Sequence, residues 1–304
     1  MDPASSSASD PAWTDLSEAE AVFTRVRPRL FGVAYRMTGT VAEAEDAVQE
    51  AWLRWQDTDR AAVTDPVPFL MTVVTRICLN VLQSARARHE TYIGPWLPEP
   101  VDTTADPALG AERGAALELA TLMLLERLAP PERAAYILRE AFDYPYEQIA
   151  ETVGVSVPNA RQLVSRARRR LTTRRAAPVA TAEQDRLLRA FVTAARSGDL
   201  DALEEILAED VVSHTDGNGA RNAAQIPVLG RTTVAKFVRA FRNRLWPGAS
   251  LRWITANGRS AVLVLHNDSP AAFLTVAAAT DGIHRLLWVL APEKLAGIAR
   301  AQDR

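Results

Sequence analysis

The segment YEQIAETVGVSVPNARQLVSRARRRL, residues 146–171, constrains the fold more than any other stretch of this chain. Ile149 and Val153 lie one helical turn apart and mark the buried side of a first helix. Gly154 suits the turn that follows, and Ser156 suits the N-cap of a second helix. The spacing therefore predicts a helix-turn-helix, a motif whose second helix can enter a DNA major groove.

The second helix of this motif carries polar side chains on its outer face. Arg161 suits guanine, and Asn159 or Gln162 suits adenine, at about 1–3 kcal/mol for each good pair. No acidic residue lies from Thr152 to Ala182, and an arginine run of this kind favours phosphate contacts. The residues predicted to contact duplex DNA are Val157, Pro158, Asn159, Arg161, Gln162, Ser165, Arg166, Arg168 and Arg169. The alternative is an ordinary helical hairpin with a solvated charged face.

Helical periodicity runs through the first half of the chain and gives way to strand-like runs in the last third. We predict a disordered tail at 1–17, a helical domain at 18–90, a linker at 91–112, a second helical domain at 113–176, a linker at 177–183 and an α+β domain at 184–304. In the last domain, two helices precede β-branched runs punctuated by Asn-Gly and Asp-Gly turns. This order indicates a helix-first domain with a curved antiparallel sheet.

Composition excludes several classes of protein. The chain has 304 residues, 48% of them hydrophobic, so it can build packed cores. Its one cysteine, Cys78, excludes an internal disulfide and a cysteine-based metal site, and its apolar neighbours predict a buried helical position. We see no signal peptide and no apolar run long enough to span a bilayer. We therefore expect a cytoplasmic protein that binds no membrane, metal or cofactor.

The linker segment YIGPWLPEP, residues 92–100, is too apolar for a simple tether. Its three prolines favour an extended path with little conformational entropy left to lose. Trp96 and Leu97 give this path apolar groups by which another domain can hold it. We predict a strap that docks on a neighbouring domain.

Longer motifs resemble one family. LFGVAYRMTGTVAEAEDAVQEAWLRW resembles region 2 of an extracytoplasmic-function sigma factor, and LAPPERAAYILREAFDYPYEQIAETVGVSVPNARQLVSRARRRL resembles region 4. YIGPWLPEP is similar to the linker signature of the SigJ-like subgroup, whose members end in a SnoaL-like domain. The resemblance implies two all-α sigma domains followed by an α+β NTF2-like cone. It also implies a protein that binds core RNA polymerase and directs promoter recognition and transcription initiation.

The resemblance assigns roles to residues of the first helical domain. An acidic helix would bind the β′ clamp helices of the polymerase through Asp46, Gln49 and Glu50, with Glu43 and Glu45 nearby. The long helix at 69–88 would read the −10 element through Arg76, Asn80, Gln83, Arg86 and Arg88, and Thr72 shares their face. The helix-turn-helix would read the −35 element beside the β flap. Without the resemblance, the acidic cluster is equally consistent with a solvated face.

Two motifs near the C-terminus match the subgroup in altered form. DGNG at 216–219 stands for its DGGG, and APEKL at 291–295 stands for its NPDKL. The resemblance ties these motifs to regulation within the chain, which gives a set of interdomain residues: Trp96, Leu97, Pro98, Asp216, Gly217, Gly219 and Lys294. Considered alone, Asp216 and Asp281 each precede glycine and are more simply turn residues.

Two alternatives to a non-catalytic C-terminal brace stay open. An enzyme would draw on the acids and bases of this domain, namely His214, Asp216, His266, Asp268, Asp281 and His284. The segment 183–304 has no tyrosine to act as an oxyanion donor, which weakens that alternative. A one-component regulator would instead bind a small ligand of unknown identity in the cone. The acidic helix argues against it, because a simple repressor needs no polymerase contact.

Overall fold

The computed structural model describes residues 15–89, 92–101, 103, 118–172, 179–220 and 223–302. Its first helical domain consists of α1 (Leu16–Thr38), α2 (Val41–Asp57), a 3-10 turn (Arg60–Ala62) and α3 (Pro66–His89). Asp15 caps α1 through its side chain, so the helix begins inside the predicted tail, whose residues 1–14 lie outside the described residues. α3 begins at Pro66, three residues before the predicted start at 69, and proline suits the first turn of a helix.

The apolar side of α3 forms the centre of this domain. Leu70, Met71 and Val74 are fully buried against the other two helices, and so is Cys78. The expectation that no apolar run is long enough to span a bilayer is wrong by length and composition, because Pro66–Ser84 passes that test. A core helix passes the same test, and the packing of α3 makes it a core helix. The expected burial of Cys78 is confirmed.

The second helical domain contains the predicted helix-turn-helix. Its helices are α4 (Leu119–Leu125), α5 (Pro130–Phe142), α6 (Tyr146–Val153) and α7 (Val157–Thr172). Gly154 ends α6 with a left-handed φ of 76°, and the Ser156 hydroxyl accepts a hydrogen bond from the Asn159 amide at 3.4 Å. The turn and the cap are therefore the ones that the residue types predict.

The C-terminal domain contains helices and a six-stranded sheet. Its elements are α8 (Thr181–Ser197), α9 (Leu200–Ile206), β1 (Leu207–Asp216), β2 (Val228–Leu229), α10 (Arg231–Leu245), β3 (Ser250–Ala256), β4 (Arg259–His266), β5 (Ser269–Ala279), β6 (Gly282–Val289) and α11 (Pro292–Gln302). The strand order is β2-β1-β6-β5-β4-β3. Helices packed on such a curved sheet form the cone that the resemblance implies.

The expectation of a purely antiparallel sheet is wrong, because β1 pairs with β6 in parallel. Parallel neighbours need a long crossover connection, and everything from β2 to β5 lies between these two strands. An expected Asn-Gly turn closes the β3–β4 hairpin at Asn257, which has positive φ. The β4–β5 hairpin is closed instead by Asn267 and Asp268, which also have positive φ. α10 was not among the predicted elements, although Val234, Val238 and Phe241 recur on it at helical spacing.

The two faces of the sheet support two separate cores. Leu286 of β6 points into a core formed with α8, α9 and α10. Its neighbour Leu287 points to the opposite face and into a core that includes α4 and α11. The second core also contains Leu97 of the linker, which is fully buried. The C-terminal domain therefore packs on the second helical domain with the linker between them.

Candidate functional site

The strap, defined here as residues 92–101, runs between all three domains without regular secondary structure. Leu97 inserts between α4 and the outer face of the sheet, with Leu119 and Phe273 in the same cluster. Pro98 is buried as well, whereas Trp96 is half-buried. The apolar residues that looked excessive for a linker therefore fill a domain interface.

Asp216 and Lys294 form a buried ion pair that holds the strap by its backbone. Asp216 Oδ2 accepts hydrogen bonds at 2.7 Å from both the Leu97 amide and Lys294 Nζ. Lys294 Nζ also donates to the Leu97 carbonyl at 2.5 Å and lies 4.3 Å from the centre of the Trp96 ring. The Tyr92 hydroxyl donates to Asp216 Oδ1. We call these five residues the clamp.

The two buried charges of the clamp stabilise each other. Asp216 is 0% exposed and Lys294 is 6% exposed, so each charge needs the other. Burial lowers the pKa of Lys294, and the neighbouring Asp216 carboxylate opposes that shift. Burial and the hydrogen bond to Asp216 raise the pKa of Tyr92, which keeps its hydroxyl protonated as a donor. The interpretation of Asp216 as a simple turn residue is wrong: it ends β1 and binds the strap.

The motif DGNG continues from Asp216 as a tight turn beside the strap. A side chain at Gly217 would lie 2.2 Å from Ala223 Cβ, so only glycine fits there. Asn218 and Gly219 have φ values of 43° and 82°, in line with the expectation that asparagine tolerates this geometry. A Cβ at Gly219 would lie 3.3 Å from Ile93 of the strap, so the turn also contacts the linker.

On the first helical domain, the strap joins α1 to α2. The Glu99 amide donates to the Gly39 carbonyl at 2.8 Å, and the Tyr35 hydroxyl donates to the Glu99 carbonyl at 2.6 Å. The Glu99 carboxylate accepts from the Val41 amide at 2.9 Å, at the start of α2, where a negative charge stabilises the helix. Trp96 lies against Gly39, where a Cβ would be 2.5 Å from its ring.

The end of the strap pairs with the edge of the sheet. The Val101 amide donates to Asn257 Oδ1 at 3.0 Å, and the Asn257 amide donates to the Val101 carbonyl at 2.9 Å. Asn257 Nδ2 donates to the Tyr35 hydroxyl at 2.8 Å. One buried asparagine therefore connects the strap, α1 and the β3–β4 turn.

The predicted −35 residues lie on α7 with mixed exposure. Pro158, Arg161, Gln162 and Ser165 are exposed, whereas Val157 and Asn159 are half-buried. Part of the arginine run is paired with acids of α5: Arg166 and Arg170 contact Glu132 at 3.0 and 2.5 Å, and Arg168 contacts Glu140 at 2.6 Å. The segment from Thr152 to Ala182 contains no acid in the sequence, but acids of α5 lie beside its arginines in the structure. Glu132 is buried, so its carboxylate needs the two arginines that neutralise it. The pair of Arg168 and Glu140 is more exposed and contributes about 0–1 kcal/mol, so a phosphate can compete for Arg168.

The predicted −10 face of α3 contacts the second helical domain. Arg76 donates to the carbonyls of Glu151 and Thr152, at 2.8 and 3.2 Å, where α6 ends. Asn80 and Gln83 are exposed on the same helix. Arg86 and Arg88 belong to α3 by backbone, but their side chains lie outside the described residues.

The predicted polymerase-binding acids lie on the outer face of α2. Asp46 and Gln49 are exposed and Glu50 is half-buried. Two acids of this cluster have basic partners: Glu50 pairs with Arg54 at 3.0 Å, and Glu45 pairs with Arg27 at 2.5 Å.

The candidate catalytic residues are dispersed. His214 is buried on the strap-facing side of β1, and burial together with Arg285 and Arg127 lowers its pKa to about 4. His284 lies between Asp210 and Asp281 on the surface. His266 lies at the end of β4 and bonds the Leu245 carbonyl. Across the residues that the structure describes, no three His, Cys, Asp or Glu side chains converge as metal ligands.

Two family models match this chain. The model described as Sigma-70 region 2 matches residues 22–88, and the model described as Sigma-70, region 4 matches residues 118–171. The first match contains α3 and the acidic helix, and the second contains the helix-turn-helix.

Relatives extend the similarity into the C-terminal domain. The chain is 40% identical over 239 residues to the ECF RNA polymerase sigma factor SigJ of Mycobacterium tuberculosis, covering 77% of this chain and 75% of that protein. It is 34% identical over 273 residues to the probable ECF RNA polymerase sigma factor SigI of the same species, covering 88% and 92%. The crystal structure of SigJ superposes with a TM-score of 0.74 at 33% identity, covering 93% of this chain and 99% of that one.

Proposed function

Because this chain belongs to the extracytoplasmic-function sigma factors, which direct RNA polymerase to promoters, we propose that its C-terminal domain regulates promoter binding by holding the two helical domains together. The strap and the clamp are the devices that do so. Regulation of this kind acts within the chain and needs no separate inhibitor protein.

Individual residues take their roles within that function. The polymerase-binding residues are Asp46, Gln49 and Glu50 on the β′ clamp helices, with the helix-turn-helix domain at the β flap. The −10 residues are Arg76, Asn80, Gln83, Arg86 and Arg88. The −35 residues are Val157, Pro158, Asn159, Arg161, Gln162, Ser165, Arg166, Arg168 and Arg169. The chain acts in the cytoplasm, on DNA and polymerase rather than as an enzyme.

The contact between Arg76 and α6 carries the regulatory proposal. In that contact, the −10 helix and the −35 domain touch each other. The two promoter elements are about 25 base pairs apart, roughly 85 Å at 3.4 Å per pair. The chain cannot bind the two elements at the same time while this contact persists. The observed arrangement is therefore a closed one, which must open on a promoter.

The strap opposes this opening. It is attached to the first helical domain at Gly39 and Val41 and to the C-terminal domain at the clamp. The C-terminal domain in turn packs on α4 of the second helical domain. Separation of the helical domains therefore requires either a break in the strap contacts or a release of Leu97 from its core.

Full-length variants test this role in transcription with purified core RNA polymerase. Trp96→Ala removes the ring that bridges Gly39 and Lys294, and we expect promoter-specific initiation to rise as the closed form weakens. Leu229→Ala is the matched control, because Leu229 is a large apolar residue that is 64% exposed and takes no part in the strap contacts described above. Equal initiation by wild type and Trp96→Ala would refute the restraint.

A one-component regulator would behave differently in the same assay. It would bind a target sequence alone and would not form a complex with core polymerase. Binding to core polymerase, with loss of affinity in Asp46→Ala and Gln49→Ala, supports the sigma function. The exposed acid Glu20 on α1 offers a control substitution outside the predicted binding face.

A further inference from the structure

A cavity of about 190 Å³ lies between the sheet and α10 in the C-terminal domain. Its walls are largely aromatic, with Phe237 and Phe241 on one side and Trp246 and Trp288 on the other. A cavity of about 150 Å³ holds a benzene ring. This one therefore has room for a single ring with a short substituent.

Polar groups are few, and among the described lining residues Arg244 alone carries a fixed charge. Thr215 and His266 line the wall, and Arg244 lines it with its guanidinium 5.5 Å from the centre of the Phe241 ring. None of the described lining residues is acidic. A cationic guest would meet only positive charge there, whereas an anionic guest gains a charge-assisted hydrogen bond.

A buried hydroxyl on the same face of the sheet lacks a partner. Ser213 precedes Thr215 by two positions on β1, so both side chains point to the same side. Ser213 Oγ is fully buried and, among the described residues, makes no hydrogen bond. An unpaired buried hydroxyl costs about 1–3 kcal/mol. Ser213 does not itself line the cavity, so it marks an unsatisfied polar site beside the cavity and not a contact with the guest.

The cavity is connected to the clamp through the backbone. Thr215, in the cavity wall, directly precedes Asp216. Leu290, also in the wall, donates its amide to the Asp216 carbonyl at 2.6 Å. A guest that holds these two wall residues in place also holds the strap-binding carboxylate.

We propose that this cavity binds a small aromatic carboxylate and that its occupancy strengthens the clamp. The proposal has two parts. The first part, which we call the binding half, is that the cavity takes this ligand, and it depends on the cavity alone. The second part, the coupling half, is that occupancy strengthens the clamp, and it rests on the proposed role of the strap. Binding would thus make the sigma factor responsive to a metabolite of this class.

The binding half is tested by calorimetric titration of the full-length chain without polymerase or DNA. Three probes share one ring and differ in charge: phenylacetate, phenylacetamide and phenethylamine. We expect phenylacetate to bind at least tenfold more tightly than either of the others, the ratio expected for one charge-assisted hydrogen bond. Absence of phenylacetate binding, or equal affinity for all three probes, overturns the proposal and leaves the sigma function untouched.

Two variants separate charge from shape. Arg244→Gln should weaken phenylacetate roughly tenfold and leave phenylacetamide unchanged. Arg239→Gln is its control, because Arg239 is exposed on the same helix and does not line the cavity. Ala271→Phe should fill the space and abolish binding of both probes. Loss of both probes in Arg244→Gln, or binding retained in a folded Ala271→Phe chain, contradicts the assignment.

The coupling half predicts a reciprocal effect. Lys294→Met removes the cation of the clamp without touching the cavity. If an occupied cavity strengthens the clamp, this variant should bind phenylacetate about fivefold more weakly. Unchanged affinity would refute the coupling and leave the binding site in place.

Discussion

The hydroxyl groups of Thr72 and Thr152 lie 3.0 Å apart, although 80 residues separate them in the chain. Thr72 is on the predicted −10 face of α3, and Thr152 is near the end of α6, the first helix of the helix-turn-helix. Arg76 reinforces this contact one turn further along α3. The two helical domains are therefore interlocked through the face of α3 that is predicted to bind the −10 element.

A disulfide at this contact would hold the closed arrangement covalently. The two hydroxyl oxygens lie 3.0 Å apart, so the thiols of Thr72→Cys/Thr152→Cys would lie side by side. We expect promoter-specific initiation by the oxidised protein to fall roughly tenfold or more, because the competent population is removed. Dithiothreitol should restore it, and each single-cysteine variant serves as control. An oxidised protein as active as the reduced one would show that the contact need not open.

Gly39→Ala tests the contact between the strap and the first helical domain. Its new Cβ would lie 2.5 Å from the Trp96 ring, and overpacking of this kind costs about 1–3 kcal/mol. Gly258→Ala is the matched control: both glycines have left-handed φ, 77° and 71°, but among the described residues nothing approaches Gly258. In denaturation experiments, the free energy of unfolding of Gly39→Ala should be lower than that of Gly258→Ala. Equal destabilisation of the two variants would mean that the Trp96 ring moves aside without a loss of stability.

The strap illustrates how far the sequence could predict this site. A tryptophan and a leucine among prolines indicate burial in any context, and Leu97 is indeed buried. The partners of Arg76 leave no such signal, because they are backbone carbonyls that any residue supplies. The pairing of Arg166 with Glu132 could not be predicted from the sequence either, because the packing of two separate helices brings these residues together. Asp216 needed the family motif, because an aspartate before glycine suits an ordinary turn equally well.

Cys78 should report on local opening of the first helical domain. The thiol is fully buried in α3, and burial raises its pKa to about 12, so little reactive thiolate forms. We expect iodoacetamide to label it at least about a hundredfold more slowly in the native chain than in urea. Ser84→Cys places an exposed thiol on the same helix and should react at once. Rapid labelling of native Cys78 would contradict the packing of this core.

His214 should make stability depend on pH. Burial, followed by the charges of Arg285 and Arg127, lowers its pKa from 6.5 to about 4, so it is neutral when folded. Below pH 6.5 the unfolded chain gains a proton that the folded one does not. Stability should therefore fall between pH 6.5 and 4, by up to about 3 kcal/mol.

Denaturation of wild type at pH 7.5 and 5 measures this slope, and His214→Leu should reduce it. Arg285→Met should also reduce it, because one of the charges that depress the pKa is gone. A slope unaffected by His214→Leu would assign the pH dependence to other groups.

The buried pair of Asp216 and Lys294 predicts a non-additive double mutant. Asp216→Ala leaves an uncompensated cation in the interface and should destabilise the chain by about 3–5 kcal/mol. Adding Lys294→Met removes that cation, so the double variant should recover part of the loss in a denaturation series. Asp281→Ala, which breaks a surface pair with His284, is the control and should change little. If the double variant is as unstable as the sum of the single ones, the two charges act independently and the clamp is not a unit.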